Sequence, residues 1–279
     1  MIEILAAGAL ATVQDLGRIR LAHLGVPRSG AFDRRALRLA NRLVGNPDDA
    51  ASIEATLGIA LRFDSAATIA CTGARCDGVD WNTAVTLAAG TTITLRPPRT
   101  GLRSYVAVRG GIDVPPVLGS RSTDVLSDLG HAPLRAGDRL PVGPEPPAPV
   151  LGETARPTDR LVSALSVTFG PRDDWFTSAA LDVLTSATWT VRAESNRVGL
   201  RLDGPALERR ITTELASEPT LPGALQVPPD GRPILLGPDA PVTGGYPVIA
   251  VVDDAGFDVA AQLRPGDEIS FTSTAGAGS

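Results

Sequence analysis

The sequence predicts a mostly β protein with a few short helices, arranged as two consecutive domains. Three observations carry that prediction. From Ser52 to Val142, short runs of apolar and β-branched residues follow one another with turn residues at close intervals, the pattern of a sheet sandwich or a barrel. The order strand, helix, then further strands is read once in each half of the chain. Between the halves lies Pro144-Glu145-Pro146-Pro147-Ala148-Pro149, whose prolines favour an extended, semi-rigid spacer. A length of 279 residues is enough for about two domains. The resulting division is a first domain over 1–143, a proline-rich linker over 144–160, a second domain over 161–272, and a tail of small residues over 273–279 that is expected to be disordered.

Residues 2–5 read as a strand and residues 12–33 as a long loop. Asp33 can cap the first helix, in which Ala36, Leu37, Ala40, Leu43 and Val44 form an apolar stripe at helical spacing, and Gly45-Asn46-Pro47 stops it. Asn41 falls on the buried flank of that helix, where an amide must be hydrogen-bonded; it either ties down the preceding loop or contacts a ligand. The strands then run over 52–56, 59–63, 67–71, 84–88, 92–96, 103–109 and 138–142. One element recurs three times, at 87–95, 134–142 and 263–271, each a glycine turn feeding an alternating strand. It returns the chain into a β core and carries no chemistry. Past the linker, Val167-Thr168-Phe169 ends a strand. Asp173 or Asp174 can cap a second helix with Phe176, Ala179, Ala180, Val183 and Leu184 on one face. Trp189-Thr190-Val191 and 195–202 follow. The stretch from Pro222 to Val252 then sets two short apolar strands around a loop rich in glycine and proline, where a ligand or another backbone can approach closely. Its Gly244-Gly245-Tyr246-Pro247 also reads as an ordinary turn.

Composition narrows the chemistry. Net charge is −5, so no basic field favours nucleic acid. All 26 basic residues are arginine, which excludes a Schiff-base lysine, a Walker-type phosphate loop and a lysine carrying covalent biotin. Anion recognition falls to arginine, whose planar fork pairs with carboxylate and phosphate. His23 and His131 are the only histidines, and with Cys71 and Cys76 they make no structural zinc site; a carboxylate-bound Mg²⁺ stays open, and no residue is assigned to a metal. The two thiols read as free and partly buried. No apolar run is long enough to span a membrane. The N-terminal Met-Ile-Glu-Ile-Leu carries an acid and lacks a basic leader, which predicts a cytoplasmic protein.

No HExxH, Gly-x-Ser-x-Gly or dinucleotide glycine motif is present. What stands out is polar residues set in glycine-rich loops: Asp15 and Arg18, Ser29 and Asp33, Arg109, Ser120-Arg121-Ser122, Ser195, Arg197 and Arg201, Gln226, then Asp239 and Thr243. Guanidinium and backbone N–H groups together suit a carboxylate or phosphate. Each arginine can equally be a surface ion pair or a loop clamp.

The motifs 12–18, 25–30, 40–46, 108–112 with 118–122, and Thr243-Gly244-Gly245-Tyr246-Pro247 resemble, in order, those of the biotin-dependent carboxyltransferase family, which includes the allophanate hydrolase subunit 2, KipA-type and 5-oxoprolinase-subunit proteins. The resemblance implies two cyclophilin-like β-barrel subdomains. It implies a subunit of an ATP-dependent assembly that opens 5-oxoproline to glutamate beside a KipI-type subunit and a third subunit, with ATP acting through the assembly. Two alternatives accompany it: a non-catalytic partner that antagonises a KipI-type protein, and a urea- or allophanate-type carboxyltransferase served by a separate biotin carrier. In the first reading Arg109, Arg121 or Arg197 holds a carboxylate or phosphorylated intermediate of a small amide substrate. Asp15 or Asp239 is the base or orienting acceptor, the Gly244-Gly245 backbone faces an oxyanion, and Arg18, Ser29, Asp33, Ser122, Ser195, Arg201, Gln226, Thr243 and Tyr246 complete the site. Three places depart from the family pattern. Pro241-Val242 replaces a Gln-Thr pair, His131-Ala132-Pro133 lacks an expected arginine, and Ile19-Arg20 replaces Pro-Gly. The first two bear on which substrate is accepted.

Overall fold

The computed structural model describes residues 1–151 and 164–274; the end of the predicted linker, the first residues of the predicted second domain and the last five residues of the predicted tail lie outside these. The chain forms two compact units. One contains 1–18 with 29–151, and the other contains 19–28 with 164–274. The short segment Ile19–Arg28 therefore groups with the second unit, although it lies within the predicted first domain.

Among the described residues the first unit holds nine strands: β1 (Ile2–Ala6), β2 (Leu10–Gln14), β3 (Ser52–Thr56), β4 (Ile59–Phe63), β5 (Ala67–Gly73), β6 (Ala84–Leu87), β7 (Thr92–Leu95), β8 (Arg103–Val108) and β9 (Arg139–Leu140). They make a four-stranded sheet ordered β7-β4-β1-β9 and a five-stranded sheet ordered β2-β3-β8-β5-β6. Alternation puts Ile2, Ile4, Leu61 and Phe63 from one sheet and Val13, Ile53, Ile69 and Val106 from the other into one buried core. Each such side chain stabilises the fold by about 1.5–3 kcal/mol through removal from water. The last three residues of strand β2 fall in what reads from sequence as loop, because its Leu-Ala-Thr-Val-Gln has too few large apolar residues to stand out.

Helix α1 (Arg34–Leu43) starts as its sequence dictates. The Asp33 carboxylate accepts a hydrogen bond from the Ala36 N–H at 2.8 Å, and Ala36, Leu37, Ala40 and Leu43 are buried against Ala70 of β5 and Tyr105 and Ala107 of β8. Asn41 ties down the loop after the helix, not the one before it. Its amide N–H donates to the Ala50 carbonyl at 2.7 Å, and its oxygen accepts from Asn46 at 3.1 Å and from Ser52 at 3.2 Å.

The second unit is built on a closed barrel. Its strands are β10 (Ala164–Phe169), β11 (Trp189–Val191), β12 (Gly199–Asp203), β13 (Glu218–Pro219), β14 (Ala224–Gln226), β15 (Ile234–Leu236), β16 (Thr243–Gly244), β17 (Val248–Val252) and β18 (Glu268–Ser273). Seven close in the order β10-β17-β14-β15-β12-β11-β18, with β18 joined to β10 by parallel pairing, while β13 and β16 form a separate two-stranded ribbon. The expected barrel is thus closed in this unit, whereas the first unit consists of two sheets around one core. Ser273, placed in the predicted tail, is the last residue of β18.

Helix α2 (Ser178–Ser186) is capped by Thr177, whose hydroxyl accepts from the Ala180 N–H at 3.2 Å. Asp173 and Asp174, the predicted caps, belong to a preceding single turn of 3-10 helix over Asp173–Trp175. Trp189 fixes the end of α2, its indole N–H donating to the Leu184 carbonyl at 3.1 Å. A third helix, α3 (Asp254–Ala260), capped by Asp253, was not among the helices read from the sequence.

The threefold repeat is structural, as expected. Gly90, Gly137 and Gly266 all hold left-handed φ angles of 80°, 94° and 89°, and their N–H groups dock on the carbonyls of Phe63, Ile4 and Val191. In two copies the next residue, Asp138 or Asp267, accepts from the N–H three residues earlier, at 2.7 Å and 2.8 Å.

Candidate functional site

Asp15, Ser120, Arg121 and Ser122, far apart in sequence, meet in the first unit. The Asp15 carboxylate accepts from the Gly17 N–H at 2.7 Å, the Ser120 hydroxyl at 2.6 Å, the Arg121 N–H at 2.7 Å and the Ser122 hydroxyl. Arg18 donates to the carbonyls of Val117 at 3.2 Å and Ser122 at 2.8 Å, and Ser29 donates to the Thr123 carbonyl at 3.0 Å. Four donors on one buried carboxylate bind two loops to each other. In this geometry Asp15 is a clamp between the loops. Gly130 completes the packing. A Cβ there would lie 2.2 Å from the Ser122 carbonyl oxygen and 2.9 Å from Arg18, so the departure at 131–133 begins beside the arginine that the junction already holds. The Arg121 side chain lies at the surface, donating to the Val114 carbonyl and to Asp113, both at 2.7 Å.

Arg109 is a strap. Its Nε donates to Glu145 at 3.0 Å, one terminal nitrogen to the Val44 carbonyl at 2.8 Å, and the other to the carbonyls of Pro146 and Ala148 at 2.7 and 2.8 Å. It fastens the first part of the predicted linker to the end of α1, which replaces the predicted role of holding a substrate anion. Asn46 supports it, accepting from the Gly110 N–H at 2.9 Å and donating to the Val108 carbonyl at 2.8 Å.

A buried network nearby has no counterpart in the sequence reading. Glu54 accepts from the Tyr105 hydroxyl at 2.7 Å and the Phe32 N–H at 3.0 Å and stands 3.6 Å from Arg103, which stacks 4.6 Å from the Phe32 ring centre. Tyr105 accepts from the Asp33 N–H at 2.8 Å. Burial, and next the Glu54 charge, push the Tyr105 phenol well above its ordinary pKa. The available signal was a Glu within an apolar strand that is central in its sheet.

In the second unit Arg197 and Asp239 form a bidentate pair, Nε to Oδ2 at 2.8 Å and Nη2 to Oδ1 at 3.0 Å, with side chains 1% and 0% exposed. Both were predicted site residues, and the structure brings them together. The pair lies beneath the surface, however, and Asp239 offers no exposed oxygen for proton transfer. It anchors the loop that leads to 243–247. Gln226 lies across Gly244, where a Cβ would sit 2.5 Å from its Nε2, and donates to the Tyr246 carbonyl at 3.3 Å. Gly244 pairs with Glu218 and Thr243 with Pro219 in the two-stranded ribbon, and the carbonyls of Pro241 and Val242 accept from Thr220, so the departure at 241–242 keeps a backbone role. Ser195 closes a turn by accepting from the Arg201 N–H at 3.0 Å.

One concave site in this unit gathers several charged groups. It is a cleft of about 220 Å³ lined by Arg192, Arg201, Arg232, Asp230 and Tyr246 over Leu202, Pro228, Pro233 and Ile234. Of the predicted residues it contains Arg201 and Tyr246; Arg192, Arg232 and Asp230 were missed. A second, open groove of about 570 Å³ in the first unit has Asp80 as its sole charged lining residue.

Residues 24–273 match the family model of the carboxyltransferase domain, subdomain A and B. The chain belongs to this carboxyltransferase family. It is 40% identical to a protein of Escherichia coli named as a 5-oxoprolinase subunit, over 97% of this chain and 90% of that one, and 34% identical to the protein of the same name from Haemophilus influenzae over the same shares. Its structure is similar to that of the Kluyveromyces lactis urea amidolyase, with a TM-score of 0.90 at 31% identity; the match covers 98% of this chain but 18% of that one. The motifs that carry the family resemblance are therefore largely loop-to-loop clamps in this carboxyltransferase domain.

Among the described residues no group of three or more His, Cys, Asp and Glu side chains gathers to hold a metal, and no helix is long and apolar enough to cross a membrane. Both thiols are free and buried, and burial raises Cys71 far above its ordinary range. The cleft does not fit ATP: its volume lies below the roughly 300–1,000 Å³ that larger ligands occupy, and among the described residues no glycine loop feeding a helix supplies a phosphate cradle at its walls.

Proposed function

We propose that this chain is one subunit of an ATP-dependent 5-oxoprolinase, an assembly that opens the lactam ring of 5-oxoproline to glutamate beside a KipI-type subunit and a third subunit. One observation carries this reading: the match to the E. coli 5-oxoprolinase subunit runs over 90% of that protein's length. The urea amidolyases, by contrast, are matched over small parts of much longer chains. ATP acts through the assembly, outside the cleft of about 220 Å³. The contribution of this chain is then to recognise the acid and to complete the assembly's site.

The test is ATP hydrolysis and glutamate release by this chain co-purified with its partner subunits, with and without 5-oxoproline. Turnover that needs every component supports the reading. A stable complex with no turnover dependent on 5-oxoproline overturns it.

A second reading, a carboxyltransferase served by a separate biotin carrier, is favoured by the TM-score of 0.90 to the urea amidolyase. It requires a lysine-bearing carrier, since this chain has no lysine. Loss of activity on adding avidin distinguishes it from the first.

A further inference from the structure

The cleft in the second unit is lined by three arginines and one carboxylate, and the arginines differ in how they are engaged. Arg192 is engaged by Glu194 at 3.3 Å and Arg232 by Asp203 at 2.7 Å. Asp230 turns its carboxylate back to the Arg232 backbone N–H at 3.1 Å. Arg201 has no ion-pair partner among the described residues: Glu194 feels its charge but bonds to Arg192. The Arg201 backbone is nevertheless held on both sides, its N–H donating to Ser195 at 3.0 Å and its carbonyl accepting from the Arg192 N–H at 2.9 Å. A charged side chain is thus presented by a fixed strand, opposite Ile234 in the β12–β15 register, with no carboxylate bonded to it.

The surroundings point the same way. Arg209 donates to the Val227 carbonyl, while its buried Nε has no partner. The other walls, Leu202, Pro228, Pro233 and Ile234, are apolar, and Tyr246 is 44% exposed. A guanidinium with no carboxylate bonded to it, above an apolar floor, suits a ligand with one negative charge and a compact carbon body. The volume of about 220 Å³ limits it to a small molecule.

We propose that this cleft is the recognition subsite for the carboxylate of a small organic acid, with Arg201 as its charged anchor and Ile234, Pro233 and Tyr246 as walls around the carbon body. The identity of the acid as 5-oxoproline rests on the function proposed above; the site itself does not. A role as a wall of this subsite accounts for the exposed aromatic residue, Tyr246, in the glycine-rich loop.

The experiment titrates the full chain with L-5-oxoproline, L-glutamate, inorganic phosphate and urea, followed by amide chemical-shift changes, in the wild type, Arg201→Gln and Arg201→Lys. Saturable binding of at least one of the two acids is expected, with shifts around 192–202 and 228–246. Arg201→Gln should weaken it about tenfold or more through loss of a charge-assisted bidentate contact, and Arg201→Lys should weaken it less. Urea should not bind, and phosphate should not compete. Equal binding by wild type and Arg201→Gln, tighter binding of phosphate than of either acid, or no saturable binding by the wild type overturns the proposal. Thermal melts of the variants, expected to coincide with wild type, exclude misfolding. The two readings fail separately. If the complete assembly releases glutamate with an unchanged KM in Arg201→Gln, the subsite is wrong and the function stands. If Arg201→Gln abolishes acid binding but the assembly makes no glutamate, the subsite stands and the acid is a different one.

Discussion

In the first unit Asp15, Arg109 and Glu54 are each engaged by several partners within the fold, whereas in the second unit arginines remain at the rim of a cleft. Asp15 takes four hydrogen bonds, Arg109 gives four, and Glu54 is enclosed by Tyr105, Arg103 and the Phe32 backbone. Arg201 is held by its backbone alone. The residue types are the same in both places: arginine, aspartate and serine next to glycine. What separates a clamp from a binding group is whether its hydrogen-bonding capacity is filled within the fold. The second unit contains both kinds, since Arg197 is as fully engaged as Arg109.

The comparison breaks first at the buried pair. Arg197→Ala leaves Asp239 buried without its partner and should cost about 3–5 kcal/mol, read as a lower urea midpoint; a loss below about 1 kcal/mol would mean that water reaches the carboxylate. Next, Asp15→Ala removes the acceptor of two hydroxyls and two backbone N–H groups. About 2–3 kcal/mol should be lost, with faster amide exchange confined at first to 117–123; unchanged exchange there would show that the loops hold without it.

Tyr105→Phe should cost about 1–3 kcal/mol, because the Asp33 N–H and Glu54 both lose a partner. It also sharpens the contrast through pH. The folded-state pKa of Tyr105 is raised, so its contribution is fully present below the ordinary tyrosine value of about 10 and is lost as pH rises through the folded value. Wild type should therefore lose stability at high pH more steeply than Tyr105→Phe; parallel curves would count against the burial of the phenol. The smallest effect belongs to the partly exposed pair of Arg172 and Glu218. The Arg172 hydrogen bond holds the Glu218 carboxyl below its ordinary range, so its stabilisation exists above about pH 4.3 and fades as pH falls through the folded value. Arg172→Ala should flatten that acid limb slightly and leave neutral stability close to wild type; a large loss at neutral pH would place this pair among the clamps.

The strand pattern was legible because alternation is local: Ile2 and Ile4, or Ile53 and Ala55, declare their face within five residues. Helix α1 was legible with its cap for the same reason. Helix α3 was not, since Asp254–Ala260 is short and contains Gly256, so that its capping aspartate is followed by no sustained apolar stripe. The candidate site was legible only as residue types. Arg109 and Glu145, or Asp15 and Ser122, lie 36 and 107 positions apart, and no spacing rule links them. Arg192, Arg232 and Asp230 were missed because they sit on ordinary turn and connecting positions, and become a rim only when β12 and β15 pair.

The parallel joint between β10 and β18 also governs how the second unit can be made. The barrel cannot close until residues 268–273 exist, about a hundred residues after β10 has been synthesised. At about 5–20 residues per second, β10 waits roughly 5–20 s for its neighbour. During that interval its backbone edge is available to any strand that passes, so the growing chain has its greatest need of a chaperone just before the barrel closes.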